Sequence, residues 1–456
     1  MTDHQEWHPA THQVQGGYSA GTWQNTAVVP IYQSAAFEFE SFEAAREIFA
    51  LRRPGNLYGR GGNPTAAVLE ERVAALEGGA GALATGSGQS AVAVALLTLV
   101  RTGQHIVASN SLYGGTVDLL TDTFADFGIG VTLVDPLDTS AWEAAVRPET
   151  RAFFVESVGN PLATIPDLAA LAAIAHAHDV PLVVDNTVPT PVLLRPLEHG
   201  ADVVVHSATK FLGGHGSSLA GVIVDGGTFD FGARPERWRQ FTAPSTRFGG
   251  ITFNDAFSAP RTPFLVLARA KVVHDLGPSL SPFNAFQIIQ GLETLELRIR
   301  KHNASALTLA RHLAAHPAVA RVHHPGLPGH PQHDAAARLL PDGTGSVFSF
   351  DLAADPATVG PFIDSLRLFR LVANIGDARS LVIHPATTTH SRFTPEQFAA
   401  SGITPTTIRL SVGLEDVRDL AEDLDWALDL VATTAHATTA HATVPAHAAA
   451  SGPATR

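Results

Sequence analysis

Two polar side chains that could carry covalent chemistry stand at the ends of consecutive apolar segments. Asp185 closes the run PLVVD, and Lys210 follows the next run, DVVVH, behind Ser207 and Thr209. The chain has only three lysines, and the apolar residues before Lys210, with Phe211 after it, predict a partly desolvated amine. Desolvation disfavours the ammonium form, which lowers the lysine pKa and favours a nucleophilic amine. We therefore expect an acid and a reactive lysine side by side.

A glycine-containing turn supplies a candidate anion site. The stretch ATGSGQSA leads into a helical segment, so the amides of Ser87, Gly88 and Gln89 should be exposed at a helix N-terminus, which favours a phosphate. The turn also matches the dinucleotide-binding pattern G-x-G-x-x-A, but the next strand ends in Ser109 and Asn110, not in an acid that could hold a ribose. An NAD-dependent oxidoreductase is thus the second hypothesis, and a turn with glycines for steric reasons alone is the third.

The combination of these groups points to one cofactor. A lysine amine, an acid for a ring nitrogen and a phosphate cradle are together what pyridoxal 5'-phosphate requires. Lys210, Asp185 and the turn at Ser87 meet these three demands. The other lysines, Lys271 and Lys301, lie in helical stretches and are expected to be solvated.

Alternating strand and helix signals surround these residues. Nearly continuous apolar runs, which are typical of strands buried on both faces of a parallel sheet, alternate with helical segments such as PDLAALAAIAHAH. The pattern predicts an α/β fold with a mostly parallel sheet. Ligands of such sheets bind beyond the carboxyl ends of the strands, where Asp185 and Lys210 stand. The strands that we expect are HIVAS, VTLVD, RAFFVE, PLVVD, DVVVH and LAGVIV.

Changes in texture along the chain predict four segments. Residues 1–57 lack a sustained hydrophobic periodicity and should form an extended N-terminal arm that packs on another part of the protein or on a partner. Residues 58–262 should form the cofactor-binding α/β domain, and residues 263–431 a smaller α+β domain with longer helices. Residues 432–456 duplicate TTAHA, lack bulky apolar side chains and should be a disordered tail.

Composition excludes several classes of partner. The formal charge of −13, without any basic block, argues against nucleic acid and anionic membranes. No apolar run could span a bilayer and no secretory signal is visible, so a cytoplasmic protein is expected. The absence of cysteine excludes disulfides and thiolate metal sites. His4, His8 and His12 have the spacing of helical metal ligands, but Pro9 interrupts the helix, and no metal site is expected.

The stretch from about residue 18 to 431 resembles the Cys/Met-metabolism pyridoxal-phosphate enzymes, and most closely their O-acetylhomoserine sulfhydrylase branch. The resemblance implies the type I fold of these transferases, which aspartate aminotransferase shares. It also implies a homodimeric active unit, usually doubled into a tetramer. The motifs that carry it are YGRGGNPT, ATGSGQSA, LYGGT, ESVGNP, VVDNT, HSATKFLGGHG, SPFNAFQIIQGLETL and ANIGDARSLVIHPATTTH.

The resemblance assigns roles around the cofactor ring. Lys210 would form the Schiff base and shuttle protons, and Asp185 would pair with the pyridinium nitrogen. Tyr113 would stack on the ring. Asn160 would make a polar contact near the ring oxygen or the substrate carboxylate.

The resemblance also implies phosphate and substrate contacts. Tyr58 and Arg60 would reach the phosphate of the neighbouring subunit. Arg409 would bind the substrate α-carboxylate, because its parallel N–H donors match two oxygens, and Ser380 would assist. Phosphate contacts within the chain would come from Gly88, Gln89, Ser207 and Thr209.

The expected reaction is γ-replacement on an O-acylated homoserine. O-acetyl-L-homoserine with sulfide would give L-homocysteine and acetate, and methanethiol would give L-methionine. Cystathionine γ-synthase, a γ-lyase and O-succinylhomoserine sulfhydrylase are the alternatives. Methionine-degrading γ-lyases of this family typically carry a cysteine at the position of Gly115, which disfavours that activity here.

Overall fold

The structure is a computed structural model that describes residues 7–22, 24–259 and 261–441. Within these ranges no helix has both the length and the apolar character that crossing a bilayer requires.

The larger sheet has seven strands within the described residues and positions the candidate site. Their order across the sheet is β1-β7-β6-β5-β4-β2-β3. Strand β7 runs antiparallel to both of its neighbours, and the other pairs are parallel, so the prediction of a mostly parallel sheet is confirmed. The strands in chain order are β1 (Gly81–Thr85), β2 (His105–Ser109), β3 (Gly130–Val134), β4 (Thr150–Glu156), β5 (Leu182–Asp185), β6 (Val203–His206) and β7 (Gly221–Asp225).

The smaller sheet follows in the C-terminal part of the chain. Its order is β10-β11-β12-β9-β8, and all its pairs are antiparallel except β10 with β11. The strands are β8 (Val319–His323), β9 (Val347–Leu352), β10 (Arg370–Leu371), β11 (Leu381–Ile383) and β12 (Thr407–Ser411).

Helices cover both sheets, and π-helical segments at Leu119–Thr123 and Ala268–Val273 extend two of them. The α-helices of the described residues are α1 (Pro9–Gln15), α2 (Phe42–Phe49), α3 (Pro64–Glu77), α4 (Gly88–Leu99), α5 (Gly114–Asp118), α6 (Phe124–Asp126), α7 (Thr139–Ala144), α8 (Leu168–Ala177), α9 (Thr190–Leu193), α10 (Arg239–Thr242), α11 (Phe253–Ala256), α12 (Pro263–Leu267), α13 (His274–Leu276), α14 (Pro282–Leu292), α15 (Leu295–Ala314), α16 (His333–Leu339), α17 (Val359–Ser365), α18 (Pro395–Ser401) and α19 (Val417–His441).

Local sequence signals set the limits of helix α3. The side chain of Asn63 accepts hydrogen bonds from the amides at positions 65 and 66, and Pro64 occupies the first turn, where a missing N–H costs nothing. Gly78 ends the helix with a φ of 75°, a left-handed conformation that glycine adopts without strain.

The larger sheet separates two apolar clusters. Along β4, Phe153 and Val155 pack in one cluster, whereas Phe154 packs in the other. All three side chains are fully buried. Burying such a side chain contributes about 2 kcal/mol, so alternation along the strand holds helices to both faces and fixes where the strand ends.

Helices on both sides of the expected boundary at residue 263 pack against the larger sheet. Phe264 of α12 belongs to the same cluster as Phe154, and Ile288 of α14 belongs to the cluster on the other face of the larger sheet. The separate core of the smaller domain starts within α15, at Ala306. The apolar faces of α12 and α14 complete the larger domain, so its packing extends about as far as the start of α15.

The two ends of the chain also differ from a simple extended arm and disordered tail. The arm contains α1 and α2, and α1 lies on α3, where Arg72 Nε donates to Gly16 O at 3.0 Å. At the other end, α19 continues to His441, because the alanine-rich stretch after residue 431 meets no proline before Pro445. Residues 1–6 and 442–456 lie outside the described residues.

Candidate active site

Two carboxylates stand side by side where β4 and β5 end. Glu156 and Asp185 are direct partners in the register of these parallel strands. Burial raises the pKa of Asp185, although hydrogen bonds from Thr187, whose amide lies 2.9 Å from Oδ1, partly oppose the shift. Burial and the neighbouring Asp185 raise the pKa of Glu156 well above its usual range. A cationic ring nitrogen placed against Asp185 would stabilise its ionised form.

Lys210 lies in the turn that follows β6. Its Nζ donates a hydrogen bond to Asn374 Oδ1. Burial, with a smaller contribution from the positive charge of Arg409, lowers the pKa of Lys210 to about 8. This agrees with the desolvation that its apolar neighbours predict. Lys271 and Lys301 are exposed, as expected.

A buried arginine fixes the backbone that carries Lys210. Arg298 Nη1 donates to Phe211 O at 2.7 Å, and Nη2 donates to Leu212 O at 3.3 Å and to Gly291 O at 2.7 Å. On the other side, Gly376 approaches so closely that a Cβ there would lie 2.7 Å from Phe211 N. The lysine therefore projects from a backbone that is held from two directions.

The glycine turn forms a helix N-terminus that is open to an anion. Ser87 caps α4 by accepting the amide of Ser90 at 3.1 Å. Within the described residues the amides of Gly88 and Gln89 donate no hydrogen bond. A Cβ at Gly88 would lie 2.4 Å from Ser207 Cβ, so only glycine lets this turn approach the end of β6. Unpaired amides at the start of a twelve-residue helix are suited to a phosphate.

Two of the expected phosphate contacts already have other partners. The hydroxyl of Thr209 donates to Ala220 O at 3.2 Å and accepts Ala220 N at 3.0 Å. The side chain of Gln89 donates to Gly115 O at 2.8 Å. Gln89 can therefore serve a phosphate through its amide, whereas the Thr209 hydroxyl would first have to turn away from Ala220 O.

Arg409 on β12 is a buried cation that forms no ion pair within the described residues. Its Nη1 donates to Asn160 Oδ1 at 3.2 Å, its Nη2 donates to Asn374 O at 3.0 Å, and its Nε is buried without a partner there. Burial lowers the pKa of Arg409 to about 10, although Tyr113 opposes the shift. A carboxylate is the ligand that such a guanidinium lacks.

Sequence reasoning missed two residues that organise the site. Asn374 accepts the Lys210 amine through its side chain and Arg409 through its carbonyl oxygen. Glu156 accepts the amides of Tyr113 at 2.6 Å and of Asn160 at 3.2 Å. For Glu156 a signal existed, because it closes a buried strand just as Asp185 does. Asn374 lies in a loop of the other domain and gave no such signal.

The position of Ser380 differs from the expected role in substrate binding. Its hydroxyl is fully buried, donates to Glu415 Oε2 at 2.9 Å and accepts the amide of Gly413 at 2.8 Å. In the antiparallel register of β11 and β12, Ile383 faces Arg409 and Leu381 faces Ser411. Ser380 precedes Leu381, so it lies beyond this second pair, on the side away from Arg409. It links two backbone segments and does not offer a donor beside Arg409.

Tyr58 and Arg60 lie next to each other on the surface. Arg60 Cζ is 5.0 Å from the Tyr58 ring centroid, and Arg60 Nε donates to His274 O at 2.8 Å. Tyr58 is 43% exposed. Within the described residues no hydrogen bond joins either side chain to the start of α4. That they contact the phosphate bound by a neighbouring subunit stays a prediction.

The residues present fit pyridoxal 5'-phosphate. Gly88 and Gln89 offer free amides for its phosphate, Asp185 offers a partly buried acid for its ring nitrogen, and Lys210 offers an amine of lowered pKa for its aldehyde. Tyr113 is 47% exposed at the start of α5, and its stacking on the cofactor ring stays a prediction.

Curated relatives match almost the whole chain. The O-acetyl-L-homoserine sulfhydrylase of Leptospira meyeri is 46% identical over 92% of this chain and 96% of its own length. That of Corynebacterium glutamicum is 43% identical with the same coverage. The homocysteine synthase of Schizosaccharomyces pombe is 40% identical over 93% of this chain and 98% of its own.

Solved structures show the same fold. An O-acetylhomoserine (thiol)-lyase from Campylobacter jejuni, which contains a pyridoxyl-lysine monophosphate, has a TM-score of 0.90 and 37% identity over 93% of this chain and all of its own. Cystathionine gamma-lyase from Lactobacillus plantarum has a TM-score of 0.80 and 31% identity with the same coverage. The family model described as Cys/Met metabolism PLP-dependent enzyme matches residues 10–429. The chain therefore belongs to the Cys/Met-metabolism family of PLP-dependent enzymes.

Proposed function

We propose that the protein catalyses γ-replacement on O-acetyl-L-homoserine, with sulfide as nucleophile and L-homocysteine and acetate as products. The observation that carries the proposal is the buried guanidinium of Arg409, which Asn374 joins to the Lys210 amine. A carboxylate on Arg409 brings the α-carbon of an amino-acid substrate towards that amine. The names of the relatives support O-acetyl-L-homoserine as that amino acid.

The protein holds the cofactor so that its ring draws electrons from the substrate. When bound, pyridoxal 5'-phosphate supplies a conjugated, positively charged ring that stabilises an electron pair at the substrate α-carbon. Asp185 would hold the ring nitrogen in its protonated form by placing a carboxylate against it. The amides of Gly88 and Gln89 would hold the phosphate at the start of α4.

Lys210 is the group that moves protons. A pKa of about 8 leaves a useful fraction of its amine neutral near neutral pH, whereas an ordinary lysine would be almost fully protonated. The neutral amine can remove the α-proton of the substrate. Asn374 holds this amine by a hydrogen bond before the substrate arrives.

The overall reaction needs no redox partner. The bond between the γ-carbon and the ester oxygen breaks, and acetate leaves with that electron pair. Hydrosulfide supplies the electron pair of the new bond between the γ-carbon and sulfur. Arg409 keeps the substrate carboxylate in place while these bonds change, because its N–H groups are already fixed by Asn160 and Asn374.

The proposal includes a homodimer as the active unit, doubled into a tetramer and located in the cytoplasm. Large apolar side chains on or near the N-terminal arm support a subunit interface, since Phe42 is 87% exposed and Phe49 is 62% exposed. Tyr58 and Arg60 would contact the phosphate of the partner. Mixing inactive Lys210→Ala with inactive Arg60→Ala chains should restore part of the activity, because one hybrid site per dimer is intact. No recovery after subunit exchange would refute the shared site.

A product assay tests the proposed reaction. The purified protein, loaded with pyridoxal 5'-phosphate, is incubated with O-acetyl- or O-succinyl-L-homoserine and with sulfide, methanethiol or L-cysteine. Homocysteine from the acetyl ester and sulfide is the expected main product, and Lys210→Ala is the control. A preference for the succinyl ester, cystathionine as main product, or 2-ketobutyrate without a sulfur product would each contradict the proposal.

A further inference from the structure

Glu156 is a buried carboxyl group that two backbone amides hold. It closes β4, is 7% exposed and forms no ion pair within the described residues. Its two oxygens accept different backbone amides, Tyr113 N on Oε1 at 2.6 Å and Asn160 N on Oε2 at 3.2 Å. An acid in such a place is costly unless hydrogen bonds offset its desolvation. Glu156 therefore depends on these two amides.

The first amide belongs to the segment that carries Tyr113. Three side chains from different parts of the fold hold this segment: Glu156 binds the amide of Tyr113, Gln89 donates to Gly115 O at 2.8 Å, and His390 is hydrogen-bonded to the backbone of Leu112. The hydrogen bond that Tyr113 N donates to Glu156, at 2.6 Å, is shorter than the one from Gln89 and is charge-assisted when the acid is ionised. Glu156 thus holds the backbone from which the Tyr113 side chain projects.

The second amide belongs to a residue that contacts Arg409. Asn160 Oδ1 accepts Arg409 Nη1 at 3.2 Å, and Asn160 itself is 5% exposed. A shift of the Asn160 backbone would move the oxygen that orients the guanidinium. Glu156 is consequently one hydrogen bond from the backbone of Tyr113 and, through Asn160, two hydrogen bonds from Arg409.

We propose that Glu156 is a positioning residue that sets Tyr113 and the Asn160–Arg409 pair in one rigid frame. It thereby couples the stacking of Tyr113 on the cofactor ring to the binding of the substrate carboxylate by Arg409. The inference rests on the proposed function only in that an amino-acid carboxylate binds at Arg409. Glu156 itself touches neither substrate nor cofactor.

Replacing Glu156 by glutamine removes one of the two acceptors while keeping the shape. The amide nitrogen of glutamine would face a backbone N–H, so one of the two hydrogen bonds is lost. The matched control is Asp423→Asn, because Asp423 is 6% exposed and accepts the amides of Arg367, Leu368 and Phe369 at 2.8, 2.9 and 3.2 Å in the other domain. Both substitutions should lower the unfolding temperature.

Ligand binding separates positioning from general stability. The probes are L-2-aminobutyrate, which has the carboxylate but no leaving group, and 1-aminopropane, which lacks the carboxylate. Calorimetric titration of the holoenzyme should show that Glu156→Gln raises the Kd of L-2-aminobutyrate roughly tenfold, the effect of weakening one hydrogen bond to a charged group. The Kd of 1-aminopropane should change less, and Asp423→Asn should change neither. Glu156→Asp, which keeps the carboxyl group but retracts it by one methylene, should shift the same Kd in the same direction.

Equal binding of L-2-aminobutyrate by wild type and both Glu156 variants would overturn the inference, as would an equal loss in Asp423→Asn. The homocysteine assay on wild type keeps the two proposals apart. If wild type forms no homocysteine but Glu156→Gln still binds L-2-aminobutyrate more weakly, the proposed function fails and the positioning role stands. If wild type forms homocysteine but wild type and Glu156→Gln bind L-2-aminobutyrate with equal Kd, the proposed function stands and the positioning role fails.

Discussion

Lys210 and Arg409 are joined through a single residue, Asn374, although they belong to different domains. The Lys210 amine donates to the side-chain oxygen of Asn374, and Arg409 Nη2 donates to its backbone oxygen at 3.0 Å. The proton-moving group and the carboxylate-binding group therefore have a common reference point. This link sets the position of the carboxylate-binding guanidinium relative to the amine that acts on the substrate α-carbon.

Asn374→Ala should impair the chemical step more than substrate binding. The side-chain bond to Lys210 is lost, whereas the carbonyl that orients Arg409 is retained. We expect kcat to fall roughly tenfold, as for loss of one hydrogen bond to a charged group, with a smaller change in KM. Steady-state kinetics with O-acetyl-L-homoserine measure both. Asn303→Ala is the control, since Asn303 bonds only backbone atoms at positions 342 and 345 in the smaller domain, and a kcat loss there of equal size would argue against the link.

The strand-end residues were predictable because parallel strands bring their carboxyl ends together. Asp185 and Lys210 follow consecutive buried apolar runs, so the order of the strands alone predicts that the two residues lie close together. Glu156 obeys the same rule, but a glutamate at a strand end is common and its two amide partners are 43 and 4 residues away. Its role became visible only when those partners were placed.

Loops from the other domain were the part that sequence reasoning could not place. Asn374 is 164 residues from Lys210, and no periodicity relates them. Ser380, in the same stretch, was expected beside Arg409, yet Glu415 and Gly413 take its hydroxyl. Competition of this kind between a ligand and a buried hydrogen-bond partner depends on three-dimensional packing. The packing of α12 and α14 against the larger sheet likewise could not be read from the sequence.

Lys210 should react with the cofactor in a lower pH range than a solvated lysine. Its pKa of about 8 lies below the ordinary value of 10.5 because burial, and secondarily Arg409, disfavours the ammonium form. The rate at which cofactor-free protein captures pyridoxal 5'-phosphate should rise with pH and level off above a midpoint near 8. Stopped-flow absorbance across the pH range measures this midpoint. A midpoint near that of a free lysine would contradict the desolvated amine.

The same shift has a consequence for the stability of the cofactor-free chain. Between about pH 8 and 10.5 the unfolded chain holds a proton on Lys210 that the folded chain does not. The free energy of unfolding should therefore rise with pH in this window. Below this window, the destabilisation caused by burying the protonated Lys210 amine should be fully present. Urea unfolding of wild type and Lys210→Met should show that the difference between them shrinks as the pH rises. A difference that stays constant would exclude the linkage.

Arg409→Lys should weaken substrate binding although the charge is kept. An ammonium cannot donate two parallel hydrogen bonds, and it cannot keep the contacts with both Asn160 and Asn374. We expect KM for O-acetyl-L-homoserine to rise roughly tenfold to a hundredfold. Arg418→Lys, whose side chain is 83% exposed and pairs with Asp416, should leave KM unchanged. An unchanged KM in Arg409→Lys would show that the substrate carboxylate does not bind at Arg409.

Gly115→Ala should reduce activity through Tyr113. A Cβ at Gly115 would lie 2.6 Å from Tyr113 Cε1, so the ring would have to shift. A displacement of about 1 Å near reacting groups can cost roughly a hundredfold in rate, and we expect a loss of kcat/KM between tenfold and that value. Gly360→Ala is the control, because no atom lies within 4 Å of a Cβ placed there. Full activity in Gly115→Ala would show that the ring position does not matter.

The covalent attachment of the cofactor at Lys210 is the central claim, and borohydride labelling tests it most directly. Reduction of the holoenzyme converts the carbon–nitrogen double bond between lysine and cofactor into a stable single bond. The modified peptide is then identified by mass spectrometry. With only three lysines in the chain, the outcome is unambiguous. The label is predicted on Lys210, and a label on Lys271 or Lys301, or none after loading with the cofactor, would contradict the account.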